Sequence, residues 1–389
     1  MSTAPAPDGS AIVAAKRRTE PSVSELVIHN ARVMTCDPSR HGVGLIDHGA
    51  IALSGTVIRW VGHDADRPRG DRELDAGGRL ITPGLIDCHT HAIFAGERAT
   101  SLGPTRAASD AELIAGLRGR LDTALAAGTT TIEVKTGYDL TVEGELRLLR
   151  CIATASDTRT QRVVPTLLAH LVPPERVAVR DAFVDELCER LIPLVGEARL
   201  ATSVDVYCDE GAFTLAEARA IFAAARRAGL ALRGHTGQFR DLGAAELIGE
   251  LRGLSADHLE QISDAGIAAL AAAGTVAVML PGACVQLRLP VPPVDLLRRA
   301  GVAMAIASDL THFGMTVDEA WLGVTRHAAR ALGLSGGGTI SRGTRADVIL
   351  WDCDDPAHIP YRYGAATRLI DAVFVAGERL SATLSPLAS

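Results

Sequence analysis

Residues 80–99 of the chain read LITPGLIDCHTHAIFAGERA, a short apolar run that leads into two histidines, His89 and His91. In an extended segment, side chains two residues apart point to the same side, so both imidazoles can reach one ion. Histidine binds zinc through a ring nitrogen at about 2.0–2.1 Å. The pair alone is a weak signal, and its meaning depends on the surrounding pattern.

Eight such apolar runs alternate with helical stretches between Leu80 and Leu334, which is typical of βα units around a parallel sheet. The runs are LITPGLID, TTTIEVK, VVPTLLAH, SVDVYCDE, LALRGH, LSADHL, TVAVML and VAMAIASD. Eight units in about 250 residues predict an α/β fold, a (β/α)8 barrel of the TIM type over residues 81–337. Such a barrel carries its active site at the carboxyl ends of the strands.

The segments on either side of the predicted barrel have a different pattern. ELVIHNARVMT and IALSGTVIRWVG precede it, and RADVILWD and LIDAVFVAGERL follow it. Short alternating segments bounded by Gly, Asp or Pro are typical of strands. We therefore expect residues 23–80 and 338–389 to form one small composite β-sandwich domain, and residues 1–22 to be a disordered tail.

Composition excludes several classes of protein. The 389 residues include 46 acidic and 39 basic side chains, a net charge of -7, with no basic run, which argues against nucleic acid as a partner. Seven cysteines without a C-x-x-C pair favour reduced thiols and a cytoplasmic protein. The uncharged stretch from Ala265 to Leu287 contains Gly274, Pro281 and Gly282, so we interpret it as a surface helix followed by a buried strand, and not as a membrane span.

Two further polar residues end predicted strands far along the chain. His235 ends the fifth run and Asp309 ends the eighth, and neither can approach His89 and His91 unless the barrel closes. Each of them alone is more often a capping or packing residue. Together the four predict a site for one divalent metal, with zinc favoured and iron or manganese as alternatives, and with a position left for water.

Other polar residues lie near the same strand ends. His258 ends the sixth run, where it can act as an acid or electrophile beside the water, or as a structural histidine bound to a backbone carbonyl. His170 allows the same two interpretations. Arg98, Arg106 and Tyr138 lie just beyond early strands and can bind an anionic substrate, although each by itself is as often a surface residue.

Lys135 and two cysteines also lie near the predicted site. A lysine at the end of strand two can be carbamylated to hold a second metal in some barrels, but the surrounding EVKTGYDL does not require it. We therefore predict one metal and a Lys135 that is either an ordinary or a structural residue. Cys88 and Cys284 have no dedicated base in the pattern, which disfavours a thiol nucleophile.

Taken together, these residues resemble the amidohydrolase superfamily, and within it the imidazolonepropionase family. The resemblance extends over nearly the whole chain from residue 24 and is carried by LITPGLIDCHTHAIFAGERA, GTTTIEVKTGYDL, AHLVPPE, VDVYCDEGAF, GHTGQF, LSADHLE, AGTVAVMLPGA, ASD, RADVILWD and IPYRYG. The histidines and the aspartate mark only the superfamily. KTGYDL, AHLVPPE, SADHLE and IPYRYG are more specific to the family.

The resemblance implies a set of site residues and a homodimer. The implied ligands of one metal are His89, His91, His235 and Asp309, with His258 assisting. The implied residues of the substrate pocket are Arg98, Arg106, Tyr138, His170 and Gln238. Gln238 stands three residues after His235, where related ring aminohydrolases carry a glutamate that moves protons, and this difference disfavours deamination.

The chain departs from the family pattern in two places. The segment between FAGERA and PTRAAS is shorter, and LTHFGMTVDEAW follows Asp309 where the family continues with Asn-Pro-Gly-Ser and a helical stretch. We therefore expect shortened loops after barrel strands 1 and 8. The second missing segment resembles one that helps to hold the substrate's propionate, so the identity of the ring stays open.

The resemblance implies a metal-dependent hydrolase that opens a cyclic amide C–N bond in a small anionic molecule, either imidazolonepropionate, from histidine degradation, or a close analogue. Asp309 would take a proton from water and return it to the leaving nitrogen, while His258 polarises the carbonyl. The alternatives are a ring deaminase, a hydrolase of a different cyclic amide, and a catalytically silent barrel that serves as a binding module. Gln238 disfavours the first, and the complete ligand set disfavours the last.

Overall fold

The protein is described by a computed structural model that covers residues 25–97, 101–307, 314–360 and 366–380. The strands of these residues form two sheets of eight strands each. One is a parallel sheet from the middle of the chain. The other is a mixed sheet that combines segments from both ends of the chain.

The parallel sheet is the barrel sheet. Its strands pair in chain order: β6 (Leu85–Asp87), β7 (Thr129–Lys135), β8 (Arg162–Ala169), β9 (Ser203–Cys208), β10 (Ala231–Thr236), β11 (Ser255–His258), β12 (Val276–Met279) and β13 (Met304–Ile306). No pairing joins β13 to β6 within the described ranges, and the amide of Ile86 instead donates to the carbonyl of Val324 at 2.9 Å. Eight parallel strands in this order confirm the predicted (β/α)8 fold class.

Helices connect and cover the barrel strands. They are α1 (Leu102–Ala107), α2 (Asp110–Ala126), α3 (Val142–Ser156), α4 (Arg180–Glu186), α5 (Ile192–Glu197), α6 (Leu215–Arg227), α7 (Ala244–Glu250), α8 (Asp264–Ala273), α9 (Pro281–Leu287), α10 (Val294–Arg299), α11 (Val317–Gly323) and α12 (Arg326–Ala331). A π-helical turn at Leu187–Leu191 joins α4 to α5. Helices α2 and α6 begin with capping boxes formed by Ser109 with Glu112 and by Thr214 with Glu217, which satisfy amides at the helix start.

The mixed sheet is built from both ends of the chain. Its strands are β1 (Glu25–Met34), β2 (Leu45–Ser54), β3 (Val57–His63), β4 (Arg72–Asp75), β5 (Leu80–Pro83), β14 (Val348–Trp351), β15 (Ile370–Val375) and β16 (Glu378–Arg379). Their order is β16-β15-β14-β5-β1-β2-β3, and β4 pairs with β1. The antiparallel pairing of β14 with β5 joins the two ends, as the composite β domain requires.

This mixed sheet curls around a core of its own. Ile58 on β3 donates its amide to the carbonyl of Thr344 at 2.8 Å, so the far edge of the sheet is bonded to the chain that precedes β14. The enclosed side chains, among them Ile28, Ile51 and Phe374, are fully buried. The residue boundaries proposed for the domains remain a prediction.

The stretch LITPGLID forms two strands, although the sequence pattern predicts one. Leu80–Pro83 is β5 of the mixed sheet and Leu85–Asp87 is β6 of the barrel. Proline has no N–H to donate to a ladder. Gly84 approaches Thr130 so closely that a Cβ there would lie 2.2 Å from Thr130 Oγ1. The chain therefore passes from one sheet to the other at Gly84 and leads directly to His89.

The uncharged stretch from Ala265 to Leu287 follows its prediction. Residues 265–273 of this stretch lie in α8, and Val276–Met279 form the buried strand β12. Across the part of the chain that the structure describes, every helix is too short or too polar to traverse a bilayer.

Candidate functional site

The first two histidines lie just beyond β6, at the carboxyl end of the barrel. The amide of His89 is bonded to the carboxylate of Asp87 at 3.2 Å, which fixes the turn after the strand. The His89 side chain is buried, and its ring centroid lies 5.2 Å from that of His91. The H-x-H pair therefore places both rings at the barrel mouth.

Two histidines from the other side of the barrel meet this pair. His235 lies on β10, and its Nε2 is 3.4 Å from Nε2 of His91. His258 ends β11, and its ring centroid is 5.5 Å from that of His89 and 5.3 Å from that of His235. His89, His235 and His258 each offer a donor atom within 4.8 Å of the other two, so these three groups could hold one ion.

A buried carboxylate orients each of two imidazoles. Nδ1 of His89 lies 2.6 Å from Oδ2 of Asp257, and Nδ1 of His235 lies 2.9 Å from Oδ1 of Asp205. A carboxylate only accepts, so Nδ1 donates and the proton stays on that nitrogen. In this tautomer Nε2 of each ring carries the lone pair that could bind a metal, the arrangement that protein metal sites commonly use.

Burial keeps these rings in the form that binds metals. It lowers the pKa of His89 well below its ordinary value, and the nearby charge of Lys135 acts in the same direction. Burial also lowers the pKa of His235, although the carboxylate of Asp205 opposes the shift. Both imidazoles are therefore neutral at pH 7, as coordination requires.

Asp309 and Arg98 fall outside the described residues, so their predicted roles as a metal ligand and a substrate contact stay predictions. Strand β13 ends at Ile306, shortly before Asp309. The predicted shortening of the loops after strands 1 and 8 is likewise untested.

Tyr138 and His170 lie beside His91. The Tyr138 ring is buried, with its centroid 5.8 Å from that of His91, and the His170 centroid lies 6.1 Å from that of His91. Nδ1 of His170 donates to the carbonyl of Gly137 at 2.9 Å, which fixes the position of its ring. The structure thus brings these two predicted pocket residues to the histidine cluster.

Gln238 and Arg106 are placed differently from one another. The hydroxyl of Tyr207 donates to Oε1 of Gln238 at 3.0 Å, and the Tyr207 ring lies 5.4 Å from that of His235, so Gln238 is near the site. Arg106 instead donates from Nε to the carbonyl of Asp139 at 2.6 Å and pairs with Glu175 at 3.3 Å. It braces the chain that follows Tyr138.

Several residues of the site were not found from the sequence. Asp205 and Asp257 are charged side chains inside apolar strands, and that contrast was the available signal. A third residue of this group, Asp209, directly follows β9. Its carboxylate accepts the amides of Gln238, Phe239 and Arg240 at 2.7–3.0 Å and so shapes the loop after β10.

Glu260 is a fourth residue of the site that was not found from the sequence. Its Oε1 lies 3.4 Å from Nδ1 of His258 and accepts a hydrogen bond from Sγ of Cys284 at 3.3 Å. The backbone before it is strained, with φ of 82° at His258 and 76° at Leu259. Strain of this kind in residues other than glycine is often found at functional sites.

The cysteines agree with the absence of a thiol nucleophile. Burial, with the nearby charge of Glu260, raises the pKa of Cys284 to about 12. Burial also raises the pKa of Cys88 far above its ordinary value. Neither thiol forms a thiolate near neutral pH, and the thiolate is the reactive species.

Comparison with known proteins gives both relatives and structural neighbours. The chain is 42% identical over 381 residues to an imidazolonepropionase of Caulobacter vibrioides, covering 86% of this chain and 95% of that protein. It is 38% identical to an imidazolonepropionase of Vibrio vulnificus, covering 90% and 98%. No protein-family model matches the sequence.

The similar solved structures share the fold at low sequence identity. A triazine hydrolase variant superposes with a TM-score of 0.74 at 16% identity, over 92% of this chain and 94% of that one. A zinc-bound adenosine deaminase from Xanthomonas campestris gives a TM-score of 0.71 at 19% identity, over 91% and 92%. These likenesses support the barrel architecture.

Proposed function

The chain belongs to the imidazolonepropionase family of the amidohydrolase superfamily, and on that basis we propose that it is a metal-dependent hydrolase that opens a cyclic amide C–N bond, with imidazolonepropionate or a close analogue as its substrate. The observation that carries this proposal is the convergence of four histidines at the barrel mouth: Nε2 of His91 lies 3.4 Å from Nε2 of His235, and His89, His235 and His258 offer donor atoms within 4.8 Å of one another.

The spacing of the histidines fits a metal ion. Two nitrogen ligands at about 2.0–2.1 Å from one tetrahedral ion lie about 3.3–3.4 Å apart. Nε2 of His91 and Nε2 of His235 are 3.4 Å apart. The proposed ligands of one divalent ion, zinc in first place and iron or manganese as alternatives, are His89, His91, His235 and Asp309. When bound, such an ion lowers the pKa of a water to about 7 and so makes hydroxide available at neutral pH.

The residues of the chain supply the proton transfers in this proposal. Asp309 takes a proton from the attacking water and returns it to the ring nitrogen as the C–N bond breaks. The water oxygen stays on the carbonyl carbon, so the product gains a carboxylate and an N–H group. His258 polarises the carbonyl oxygen, and loss of one such donor costs roughly 3–4 kcal/mol in the transition state.

The substrate pocket combines aromatic and cationic groups. Tyr138 and His170 flank the metal histidines, where they can pack against a planar ring. Arg106 already uses Nε and Nη1 in contacts with Asp139 and Glu175. We therefore assign the main contact with an anionic side arm to Arg98, and to Arg106 the support of the chain that carries Tyr138.

Gln238 favours hydrolysis over the removal of ammonia. A deaminase of this superfamily would need a proton-transferring carboxylate at this position, and an amide cannot serve because it does not titrate. The Gln238 amide is held through Oε1 by the hydroxyl of Tyr207. This contact, close to His235, supports the role in substrate binding that we assign to Gln238.

We also propose a cytoplasmic homodimer. All seven cysteines are free, which suits a reducing compartment. The assembly rests on family membership, and light scattering on the purified chain measures it directly.

A turnover assay with and without Asp309 tests the proposal. We expect imidazolonepropionate to be hydrolysed, and Asp309→Asn to lose roughly 10²–10⁴-fold in kcat because its amide cannot accept the proton. Hydantoin-like and lactam analogues, each with and without a carboxylate arm, determine the ring preference. Near-normal turnover by folded Asp309→Asn would eliminate this mechanism. A wild-type protein that takes up far less than one equivalent of metal would favour the silent barrel.

A further inference from the structure

Five charged side chains are buried inside the barrel beneath the histidines. We call them the ion cluster, and its members, each 0% exposed, are Glu133, Lys135, Asp205, Arg233 and Asp257. The interior layers of such barrels are usually filled by branched apolar side chains. Buried ion pairs contribute little net stability, because the loss of hydration offsets their attraction. Five charges in this place therefore call for an explanation other than stability.

Lys135 lies at the centre of the ion cluster. Its Nζ donates to Oε1 of Glu133 at 2.8 Å and to Oδ2 of Asp205 at 2.7 Å. It also lies 3.7 Å from Oδ2 of Asp257. One ammonium group thus contacts three carboxylates, which would otherwise repel one another in a medium of low dielectric constant. These contacts hold Nζ within the ion cluster.

Arg233 completes the ion cluster from the neighbouring strand. It pairs with Glu133, and its Nη2 lies 3.2 Å from Oδ2 of Asp257 and 2.6 Å from the carbonyl of Cys88. Its Nε donates to Ser255, whose hydroxyl donates to the other oxygen of Asp257 at 2.6 Å. The Asp257 carboxylate is therefore fixed from two sides.

The two aspartates connect the ion cluster to the metal histidines. Asp205 accepts from Lys135 through one oxygen and holds His235 through the other. Asp257 is bound by Arg233 and holds His89. A continuous chain of polar contacts thus runs from one metal histidine to the other through the buried cations.

We propose that Lys135 and Arg233 are positioning residues that set the orientation of both metal histidines through Asp205 and Asp257. This inference rests on the proposed function, because it assigns the ion cluster to the metal site of the same hydrolase. Loss of Lys135 releases Asp205 from its only cation in the ion cluster, so His235 loses its fixed orientation. Asp257 loses the weaker of its cation contacts and keeps Arg233 and Ser255. Removal of a contact behind a metal ligand commonly weakens metal binding 10–100-fold.

A simple charge effect makes the opposite prediction. Three carboxylates and two cations leave the ion cluster with an excess of one negative charge, which by itself attracts a metal cation. Removing Lys135 makes the ion cluster more negative, so attraction alone would strengthen metal binding. Replacing Glu133 and Lys135 together leaves the net charge unchanged, so attraction alone would leave binding unchanged. Positioning predicts weaker binding in both variants.

The test is a zinc titration of the full chain against a chromophoric chelator, without substrate, after metal removal. We expect Lys135→Met and the double variant Glu133→Gln with Lys135→Met each to bind zinc at least tenfold more weakly than wild type. The matched control is Arg180→Met, which removes an arginine paired with Glu217 away from the ion cluster. It should bind zinc within twofold of wild type. Thermal unfolding of the metal-free proteins shows whether each variant is folded.

The outcomes separate the proposals. Wild-type affinity, or tighter binding, in the folded double variant would overturn the positioning role and leave the hydrolase proposal intact. A wild-type chain that binds no zinc, iron or manganese would overturn both. If Lys135→Met alone fails to fold, the double variant decides, because it removes one charge of each sign and so keeps the net buried charge of wild type, although Asp205 loses its lysine contact in both variants.

Discussion

Replacing Asp209 by alanine tests whether one buried carboxylate shapes the loop that carries Gln238. Asp209 is 2% exposed and follows β9. Its Oδ2 accepts the amides of Gln238 at 2.7 Å and Phe239 at 3.0 Å. Its Oδ1 accepts the amides of Arg240 at 3.0 Å and Glu210 at 2.7 Å. Alanine removes both acceptor oxygens and with them all four hydrogen bonds.

The size of the effect follows from where these amides lie. A hydrogen bond to a charged group contributes about 1.5–3 kcal/mol net, and a buried amide left without a partner costs about 1–3 kcal/mol. Phe239 is 46% exposed, so water can replace the lost contact there, whereas Gln238 is 7% exposed. We therefore expect Asp209→Ala to lower the free energy of unfolding by about 2–4 kcal/mol, well below the sum of four bonds.

Urea unfolding and steady-state kinetics measure the two consequences. The backbone amide of Gln238 loses its acceptor in this variant, so the loop no longer holds the Gln238 side chain in position. We therefore expect the substrate KM to rise together with the loss of stability. The neighbouring Glu210→Ala is the matched control: its side chain is 62% exposed and pairs with Arg240 at 3.2 Å. A surface pair of this kind contributes about 0–1 kcal/mol. The reasoning is refuted if Asp209→Ala unfolds at the same urea concentration as Glu210→Ala and keeps the wild-type KM.

Two further predictions concern other buried groups. Glu260→Gln should lower kcat roughly tenfold or more with zinc content unchanged, because Oε1 of Glu260 orients His258; a kcat equal to wild type would count against that role. Burial lowers the pKa of His327 from 6.5 to about 4, so the unfolded chain takes up this proton first and stability falls as the pH drops from 6.5 towards 4, by up to roughly 3 kcal/mol. His327→Gln should therefore show a shallower loss of the free energy of unfolding over that range, and an identical acid profile would contradict it.

The barrel was accessible from the sequence because its signals are local. Each strand appears as a short apolar run that is followed by a helical stretch, and such a run can be recognised without knowing which distant residues it contacts. The division of LITPGLID between two sheets was not accessible in this way. It depends on the approach of Gly84 to Thr130, which exists only when the strands are assembled.

The candidate site divides in the same manner. The histidines were found because they stand at strand ends, and parallel strands bring their carboxyl ends together. The contact between Asp257 and His89 joins residues 168 apart in the chain, and no spacing in the sequence indicates it. The sequence likewise did not indicate the direction of the Arg106 side chain, whose Nε donates to the carbonyl of Asp139.

The sequence by itself determined the fold class, the family and the strand ends at which the histidines meet. The reason is that the spacing of apolar residues and the short motifs are local properties of the chain. The tertiary structure alone decided which buried aspartates orient the histidines and which cations hold those aspartates. The physical reason is that distant charges meet in a dry interior only when the parallel sheet is assembled, which brings β7, β9, β10 and β11 around one point.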